Sequence, residues 1–317
     1  IVSGLIKAND PIGFSYKLND YFAAGVFNMP WLDPWALELS ILVCVAEIVL
    51  GVAVLFGARM KLASWSLLIL MIFFTFLTGY TAIANWFFDN PASGLTNFFE
   101  GIFGFVARED ISYMKDCGCF GDAIKLTPWQ SFAKDVVLLV FSVIIFIKRD
   151  QTKPQGLKTD LMNLVISGLL IAVFSFGMVS WYFPMVFALV TFGVLLGIKN
   201  LMESDSRDWI MAAAATVISA GFSAYCVMHL PIKDFRPYKI GNNISELKEC
   251  PPDAPQDVYD DTWFYLVNGE VKTYKTAQEP WKIEGAEFVD RETELIFKGC
   301  EPPIHDFVLE DADGNDY

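Results

Sequence analysis

Long apolar runs alternate along this chain with short polar connections. A run of about 20 residues with few charges is long enough to cross the hydrocarbon core of a bilayer, and inside a bilayer such a run must be helical. The sequence predicts six complete runs, at 37–57, 62–87, 129–147, 161–181, 183–198 and 209–229. The pattern therefore predicts a polytopic membrane protein.

The first residues, Ile1-Val2-Ser3-Gly4, are preceded by no initiating Met, basic segment or cleavage site. They are typical of the end of a span and not of a signal peptide, so we expect a seventh span that is truncated at its start. The expected fold class is an all-α polytopic membrane helix bundle of about seven transmembrane helices, with a small α+β or β-rich periplasmic domain at the C-terminus.

Basic residues predict the orientation of the bundle. They concentrate in three short connections, at 57–61, 148–158 and 199–207, and the positive-inside rule assigns such connections to the cytoplasm. The connection from Lys7 to Trp35, the loop at 88–128 and everything after Leu230 then face the other side. We expect a multi-pass protein of the bacterial inner (cytoplasmic) membrane whose C-terminal region is periplasmic.

Composition limits the classes of partner that the protein is expected to bind. The 317 residues are 54% hydrophobic and 19% charged, with a net charge of −14. Most of the negative charge follows Leu230, and a uniformly acidic surface argues against nucleic acid. The expected partners are the lipid bilayer and, on the outer side, other proteins, which include a larger envelope complex.

The region after Leu230 has the composition of a soluble domain. Two extended runs, 262–267 and 271–274, flank Asn268-Gly269, a pair typical of a tight hairpin turn. Runs at 286–289 and 294–297 extend the predicted sheet. The expected domains are 1–150, a four-helix unit with the 88–128 loop; 151–229, three additional helices; and 230–317, a soluble domain that continues into a missing domain.

The loop at 88–128 contains Cys117-Gly-Cys119. A disulfide across one glycine closes a small ring, which restrains its torsion and makes it easier to reduce. Redox exchange is the favoured interpretation, and a static clasp or half of a metal site are the alternatives. A metal needs two further ligands, and the two histidines, His229 and His305, are distant in sequence, so we predict no metal site.

Glu47 lies near the middle of a predicted span, where an ionised carboxylate is costly unless it is paired. Two roles are open: a proton relay, or a helix contact through Thr75, Thr78, Tyr80 or Lys7. Helix contact is the more frequent use of such a group.

Four further cysteines are candidates for pairing or relay. Cys250 and Cys300 flank the predicted β region, and a bond between them would close a loop of about 50 residues; a structural disulfide and an exchangeable pair are both open. Cys44 and Cys226 lie in the outer thirds of their spans, where a thiol relay competes with the commoner role of small apolar filler.

Several segments resemble the DoxX-like membrane proteins, and among these the methylamine-utilisation MauE branch. They are Ser3–Lys7, Asp10–Phe14, the helix of Glu47 and Gly51, Phe74–Tyr80 and the CGCFGD sequence that begins at Cys117. The resemblance covers about residues 1–150. It implies a role in maturing disulfide-rich clients beside a thioredoxin-fold partner, with Cys117 and Cys119 as the redox pair. Comparison of this group with quinone-linked thiol oxidases also makes a quinone a candidate cofactor.

The C-terminal segment from Pro302 to Gly314 resembles the start of a redoxin domain of the peroxiredoxin and thioredoxin-like class. This resemblance implies a fused electron partner on the side of the CGC loop. The Cys-x-x-Cys of thioredoxins is absent from the sequence.

The sequence therefore predicts a membrane thiol–disulfide redox or maturation factor that exchanges electrons between the CGC dithiol and a thioredoxin-like periplasmic partner or fused domain. The alternative is a non-catalytic scaffold or accessory subunit of a larger cell-envelope complex. A small-molecule carrier that uses Glu47 is a third hypothesis.

Overall fold

The structure is a computed structural model, and it describes residues 1–23, 26–89, 120–152, 156–203, 206–267, 269–283, 285–297 and 299–304. The chain divides into two compact units, Ile1–Phe235 and Arg236–Tyr317.

The first unit is helical. Its helices are α1 (Val2–Asn9), α2 (Pro11–Phe22), α3 (Ala36–Phe56), α4 (Met60–Asp89), α5 (Pro128–Lys148), α6 (Leu157–Gly177), α7 (Phe183–Leu201) and α8 (Arg207–His229). Within the described residues, six helices, α3 to α8, are long and apolar enough to cross a membrane. They coincide with the six predicted runs to within a few residues, which confirms the prediction of a membrane helical bundle.

The connection from Lys7 to Trp35 is more ordered than the sequence predicted. Its first half contains the helix α2, which begins where the Asp10 side chain accepts a hydrogen bond from the Gly13 amide at 2.9 Å. Pro11 follows Asp10 at the first helical position, where its missing N–H costs nothing. The helix packs Leu18 and Phe22 against the start of α3, and it is too short and too polar to stand out in a search for spans.

The core of the bundle lies around α3. One cluster of buried side chains joins α3 to α6, α7 and α8. Its members are Val52, Phe56, Ile171, Ala188, Phe192, Leu195, Met211 and Ala215. The helix α5 packs along α4, and much of the remaining apolar surface of α5 and α6 is exposed, as a surface that faces lipid must be.

Two ends of the bundle can be defined by their residues. The short connections that contain Arg59, Arg149 and Arg207 contact one another, and they lie together at what we call the basic end. The opposite end, called the aromatic end, holds Trp35, Trp129 and Trp181.

The second unit contains a three-stranded antiparallel sheet in the order β2-β1-β3, with β1 (Val258–Val267), β2 (Glu270–Lys275) and β3 (Glu287–Phe297). The predicted hairpin is confirmed, since Val267 pairs with Glu270 and Gly269 has a positive φ of 82°. The two later extended runs belong to one continuous strand, β3.

Aromatic rings pack on this sheet. Trp263 of β1 lies 5.7 Å from the Trp281 ring and 6.3 Å from the Phe288 ring, and the Arg291 guanidinium stands 5.3 Å from its centre. A small sheet with few fully buried residues gains much of its cohesion from such contacts.

Candidate functional site

Cys117 and Cys119 lie outside the described residues, which resume at Phe120. The structure therefore gives the position of the residue that follows the dithiol. A short 3-10 turn, Gly121–Ala123, comes next, and Gly121 has a positive φ of 51°, which glycine adopts without strain.

Phe120 is packed between two helices. Its ring centre is 5.9 Å from that of Phe174, near the end of α6, and 5.2 Å from the Lys134 ammonium of α5. Lys134 in turn lies 2.6 Å from the carboxylate of the buried Asp135. The chain immediately after the dithiol is thus fixed at the aromatic end of the bundle.

Phe120 also joins a buried cluster at this end, which we call the aromatic-end cluster and define by Ile6, Val179 and Trp181. Phe235, the last residue of the first unit, packs into the same cluster with its ring 6.0 Å from that of Trp181. The residue that follows the dithiol and the residue that precedes the second unit therefore share one cluster.

Lys233 holds the second of these segments in place. Its ammonium donates to the carbonyl oxygens of Val179 at 3.0 Å and Ser180 at 2.7 Å. Its carbonyl accepts from the Asn9 side chain at 2.7 Å, and its amide donates back to Asn9 at 3.3 Å. These bonds connect the segment after α8 to α1 and to the turn between α6 and α7.

Glu47 pairs with Lys7, one of the four partners that its position suggested. The ammonium of Lys7 donates to Glu47 Oε1, and the two side chains are 4% and 10% exposed. The same ammonium lies 4.4 Å from the centre of the Phe74 ring and 5.2 Å from that of Phe14. Both charges are therefore compensated inside the bundle, by each other and by aromatic faces.

Cys44 and Cys226 are unbonded thiols within one buried cluster that also contains Leu5, Ile48 and Phe222. Both are almost fully buried. Apolar surroundings of this kind suit the packing role, because a thiolate is disfavoured there.

The structure adds an ion pair that the sequence analysis missed. Asp160 of α6 and Lys199 of α7 meet at 2.6 Å, with side chains 2% and 8% exposed, and the ammonium lies 5.7 Å from the Phe56 ring centre. An Asp in the first turn of an apolar helix, with a Lys near the basic end of the next one, was the available signal. Antiparallel neighbours bring such positions together.

In the second unit the sulfur atoms of Cys250 and Cys300 are at disulfide-bonding distance, with their Cα atoms 6.1 Å apart. The Cys300 amide donates to the Pro255 carbonyl at 2.8 Å, and the Gly299 amide to the Asp257 carboxylate at 2.7 Å. These bonds hold the end of β3 beside the start of β1. In the part of the chain that is described, no group of three or more His, Cys, Asp or Glu residues could hold a metal ion.

Comparison with known proteins found a similarity to the first part of the chain. Residues 1–89 match the family model of methylamine utilisation protein MauE. The MauE-like segment spans α1 to α4, so it contains Lys7, Glu47 and Cys44, and it ends before the CGC sequence. No curated protein and no solved structure matches the chain.

Proposed function

We propose that the chain is a membrane thiol–disulfide redox or maturation factor. Cys117 and Cys119 are its exchanging pair, and its electron partner is a thioredoxin-fold protein or fused domain on the periplasmic side of a bacterial inner membrane. The MauE match over residues 1–89 supports the membrane part of this proposal. The resemblance to DoxX-like and MauE proteins, and of residues 302–314 to a redoxin start, supports the redox part.

One observation carries the proposal furthest: Phe120 and Phe235 pack in the same aromatic-end cluster. Phe120 is covalently bonded to Cys119, and Phe235 directly precedes the second unit. Exchange requires that the dithiol and its partner meet in one compartment. The packing of Phe120 and Phe235 in one cluster supports this condition.

The exchange is balanced without another reactant. A thiolate of the CGC pair attacks the partner's disulfide, forms a mixed disulfide and releases one partner thiolate. The second CGC thiolate then attacks the mixed disulfide, so that the CGC pair becomes oxidised and the partner gains two electrons. The reverse sequence reduces the CGC pair.

Trapping the mixed disulfide tests this function. Cys117→Ser and Cys119→Ser each leave one thiol that can attack but cannot resolve, so we expect one of them to accumulate a covalent adduct that reductant releases. The matched control is the Cys44→Ala, Cys226→Ala variant, which keeps the CGC pair and should trap nothing. Absence of any adduct, with client oxidation unchanged in the Cys117→Ser, Cys119→Ser double variant, contradicts the proposal and favours the scaffold alternative.

Sidedness is tested separately. An impermeant maleimide applied to intact spheroplasts after reduction should label Cys117, Cys119, Cys250 and Cys300 together. Labelling of Cys250 without Cys117 or Cys119 until lysis contradicts the shared compartment.

A further inference from the structure

Cations and aromatic rings cluster where the helices α4 and α5 meet at the basic end. Lys61 is the second residue of α4, and Arg149 directly follows α5. The Arg149 guanidinium lies 4.1 Å from the centre of the Phe146 ring, and this ring lies 4.5 Å from the Trp65 ring. We call these four residues, two from each side of the helix pair, the α4–α5 cluster. It brings two positive charges and two aromatic rings to one edge of the bundle.

One carboxylate, that of Asp150, faces both cations of the cluster. Its oxygens lie 3.7 Å from the Lys61 ammonium and 3.9 Å from the Arg149 Nε atom. Both distances are longer than a hydrogen bond, and the side chains of Lys61 and Asp150 are 83% and 61% exposed, so these pairs are weak. Two cations beside one carboxylate leave the cluster with a net positive charge. The cluster therefore attracts a further anion.

An apolar stripe leads from this cluster along α4. Trp65, Ile69, Ile72 and Phe76 are three or four residues apart, so they share one face of the helix. Each of the four side chains is more than half exposed. At 1.5 Å per residue the stripe is about 17 Å long, which is close to half the thickness of the hydrocarbon core of a bilayer. Its length therefore matches one leaflet.

The order of these features along α4 is that of an amphipathic lipid. The exposed Lys61 ammonium lies at the end of the helix, the Trp65 ring comes one turn later, and the apolar stripe continues from there. Tryptophan is favoured at the level of the lipid headgroups, where one end of its ring is apolar and its N–H is polar. A soluble anion would contact the two cations alone, whereas a lipid contacts the cations, the aromatic rings and the stripe together.

We propose that the α4–α5 cluster binds the headgroup of an anionic phospholipid, with an acyl chain along the apolar stripe. The phosphate accepts hydrogen bonds from the Lys61 ammonium and from the Arg149 guanidinium, whose planar N–H groups suit phosphate oxygens. Basic clusters between membrane helices are typical headgroup sites. This site lies at the basic end, whereas Phe120 fixes the chain after the dithiol at the aromatic end, so it is separate from the proposed redox centre.

Native mass spectrometry of the intact chain in detergent, titrated with lipid, tests this proposal. The first binding constant for dioleoyl phosphatidylglycerol should exceed that for dioleoyl phosphatidylcholine, because only the former lipid carries a net negative charge. Lys61→Gln should lower the phosphatidylglycerol constant by about fivefold, and the Lys61→Gln, Arg149→Gln double variant by about 25-fold. The phosphatidylcholine constant should stay unchanged in both variants.

Lys158→Gln is the matched control, because Lys158 is an exposed cation in the first turn of α6, outside the cluster. It removes the same charge and should leave the phosphatidylglycerol constant unchanged. Asp150→Asn should raise that constant, since it removes the carboxylate that competes with the phosphate for both cations. Glycerol 1-phosphate, which has the headgroup charge but no acyl chain, should not displace the bound lipid when it is added at the same concentration.

Equal constants for the two lipids overturn the proposal. A loss in Lys158→Gln as large as that in Lys61→Gln overturns the site, because it would show a general attraction to the basic end. Displacement by glycerol 1-phosphate would identify a site for soluble phosphates and contradict a lipid. A dimer that binds no phosphatidylglycerol would show that a second copy covers this face, and it contradicts the proposal as well. None of these measurements depends on cysteine chemistry, so the outcome is independent of the proposed redox function.

Discussion

Ion pairs between a lysine and a carboxylate occur in both units, but they differ in how far they are exposed to water. In the first unit Lys7 and Glu47 are 4% and 10% exposed, whereas in the second Lys275 and Asp260 are 54% and 41% exposed. A buried pair must offset the desolvation of both charges, so removal of one partner leaves a costly uncompensated charge. An exposed pair is screened by water and contributes little. The difference indicates that charge helps to specify the helix packing of the first unit and contributes little to the stability of the second.

The units also differ in how their segments are joined. The first unit buries apolar clusters between long helices. The second has a small sheet with partly exposed aromatic rings and two sulfur atoms at bonding distance. A small domain with little core commonly depends on such a covalent link. The effects of substitutions on stability should therefore differ between the two units, in magnitude and in physical cause.

The largest effect is expected for Glu47→Leu. It removes the carboxylate that pairs with the buried Lys7 ammonium, which should lower the free energy of unfolding by about 3–5 kcal/mol. The Lys7→Met, Glu47→Leu double variant should recover most of this loss, because both charges are removed together. Unfolding by titration of denaturing detergent into mixed micelles measures both values.

The control for this experiment is Glu38→Leu, because Glu38 lies in the exposed first turn of the same helix. It should change stability by less than about 0.5 kcal/mol. A double variant as unstable as Glu47→Leu alone would contradict the structural role and favour a proton relay.

The next largest effect on stability is expected for the Cys250→Ser, Cys300→Ser double variant. A bond between these residues closes a loop of sequence separation 50, and on the chain-entropy model its loss should cost roughly 4 kcal/mol. The loss should be confined to the second unit, where the fluorescence of Trp263 and Trp281 reports unfolding. The Cys44→Ala variant, measured in parallel, should leave that signal in place. An unchanged unfolding midpoint in the double serine variant would show that the two sulfurs are not bonded.

Asp160→Leu should be destabilising by less than Glu47→Leu. It removes the partner of Lys199, but the loss should stay below the about 3–5 kcal/mol that a charge left buried costs. Lys199 lies in the last turn of α7, where its long side chain can turn toward the basic end and reach water. The detergent titration should therefore rank Glu47→Leu above Asp160→Leu, and the reverse order would contradict the assigned depths.

A comparison of two glycines tests the packing of α1 on α3. A Cβ added at Gly4 would lie 2.8 Å from Glu47 Cβ and 2.9 Å from the Cys44 carbonyl oxygen. Gly4→Ala should therefore cost about 1–3 kcal/mol, the usual penalty for overpacking. Gly168→Ala on α6 is the control, since no atom lies within 4 Å of its added Cβ; it should be neutral or stabilising by up to about 1 kcal/mol. Equal effects at the two positions would contradict the close approach of α1 and α3.

The apolar helices and the β hairpin could be predicted because both depend on local pattern. Runs such as 129–147 contain enough apolar residues to define a helix, and Asn268-Gly269 defines a turn between two short strands. The helix α2 and the pairing of Asp160 with Lys199 depend instead on which segments become neighbours in the fold. A single sequence offers Glu47 four partners of similar merit, and only tertiary packing selects Lys7.

Less of the candidate site than of the fold could be predicted from the sequence. The spacing of Cys117 and Cys119 predicts redox chemistry, and the structure describes their loop only from Phe120 onward. What the sequence could not provide is the cluster that joins Phe120 to Phe235, because these residues are separated by the four helices α5 to α8 along the chain. Contacts of that separation are set by the assembly of the bundle and not by local pattern.

The smallest effect is expected for Lys275→Ala in the second unit. Its ammonium lies 2.7 Å from the Asp260 carboxylate, but both side chains are about half exposed. An exposed pair of this kind is worth about 0.2–1 kcal/mol, and the contribution should decline further in high salt because salt screens exposed charges. The comparison of the units is sharpest when Lys275→Ala and Glu47→Leu are measured at two salt concentrations. The cost of Lys275→Ala should decrease as the salt concentration rises. The cost of Glu47→Leu should not, because the Lys7 ammonium lies inside the bundle, where salt does not screen it. A strong salt dependence at Glu47 would mean that water reaches the Lys7 ammonium, and the contrast between buried and exposed pairs would fail.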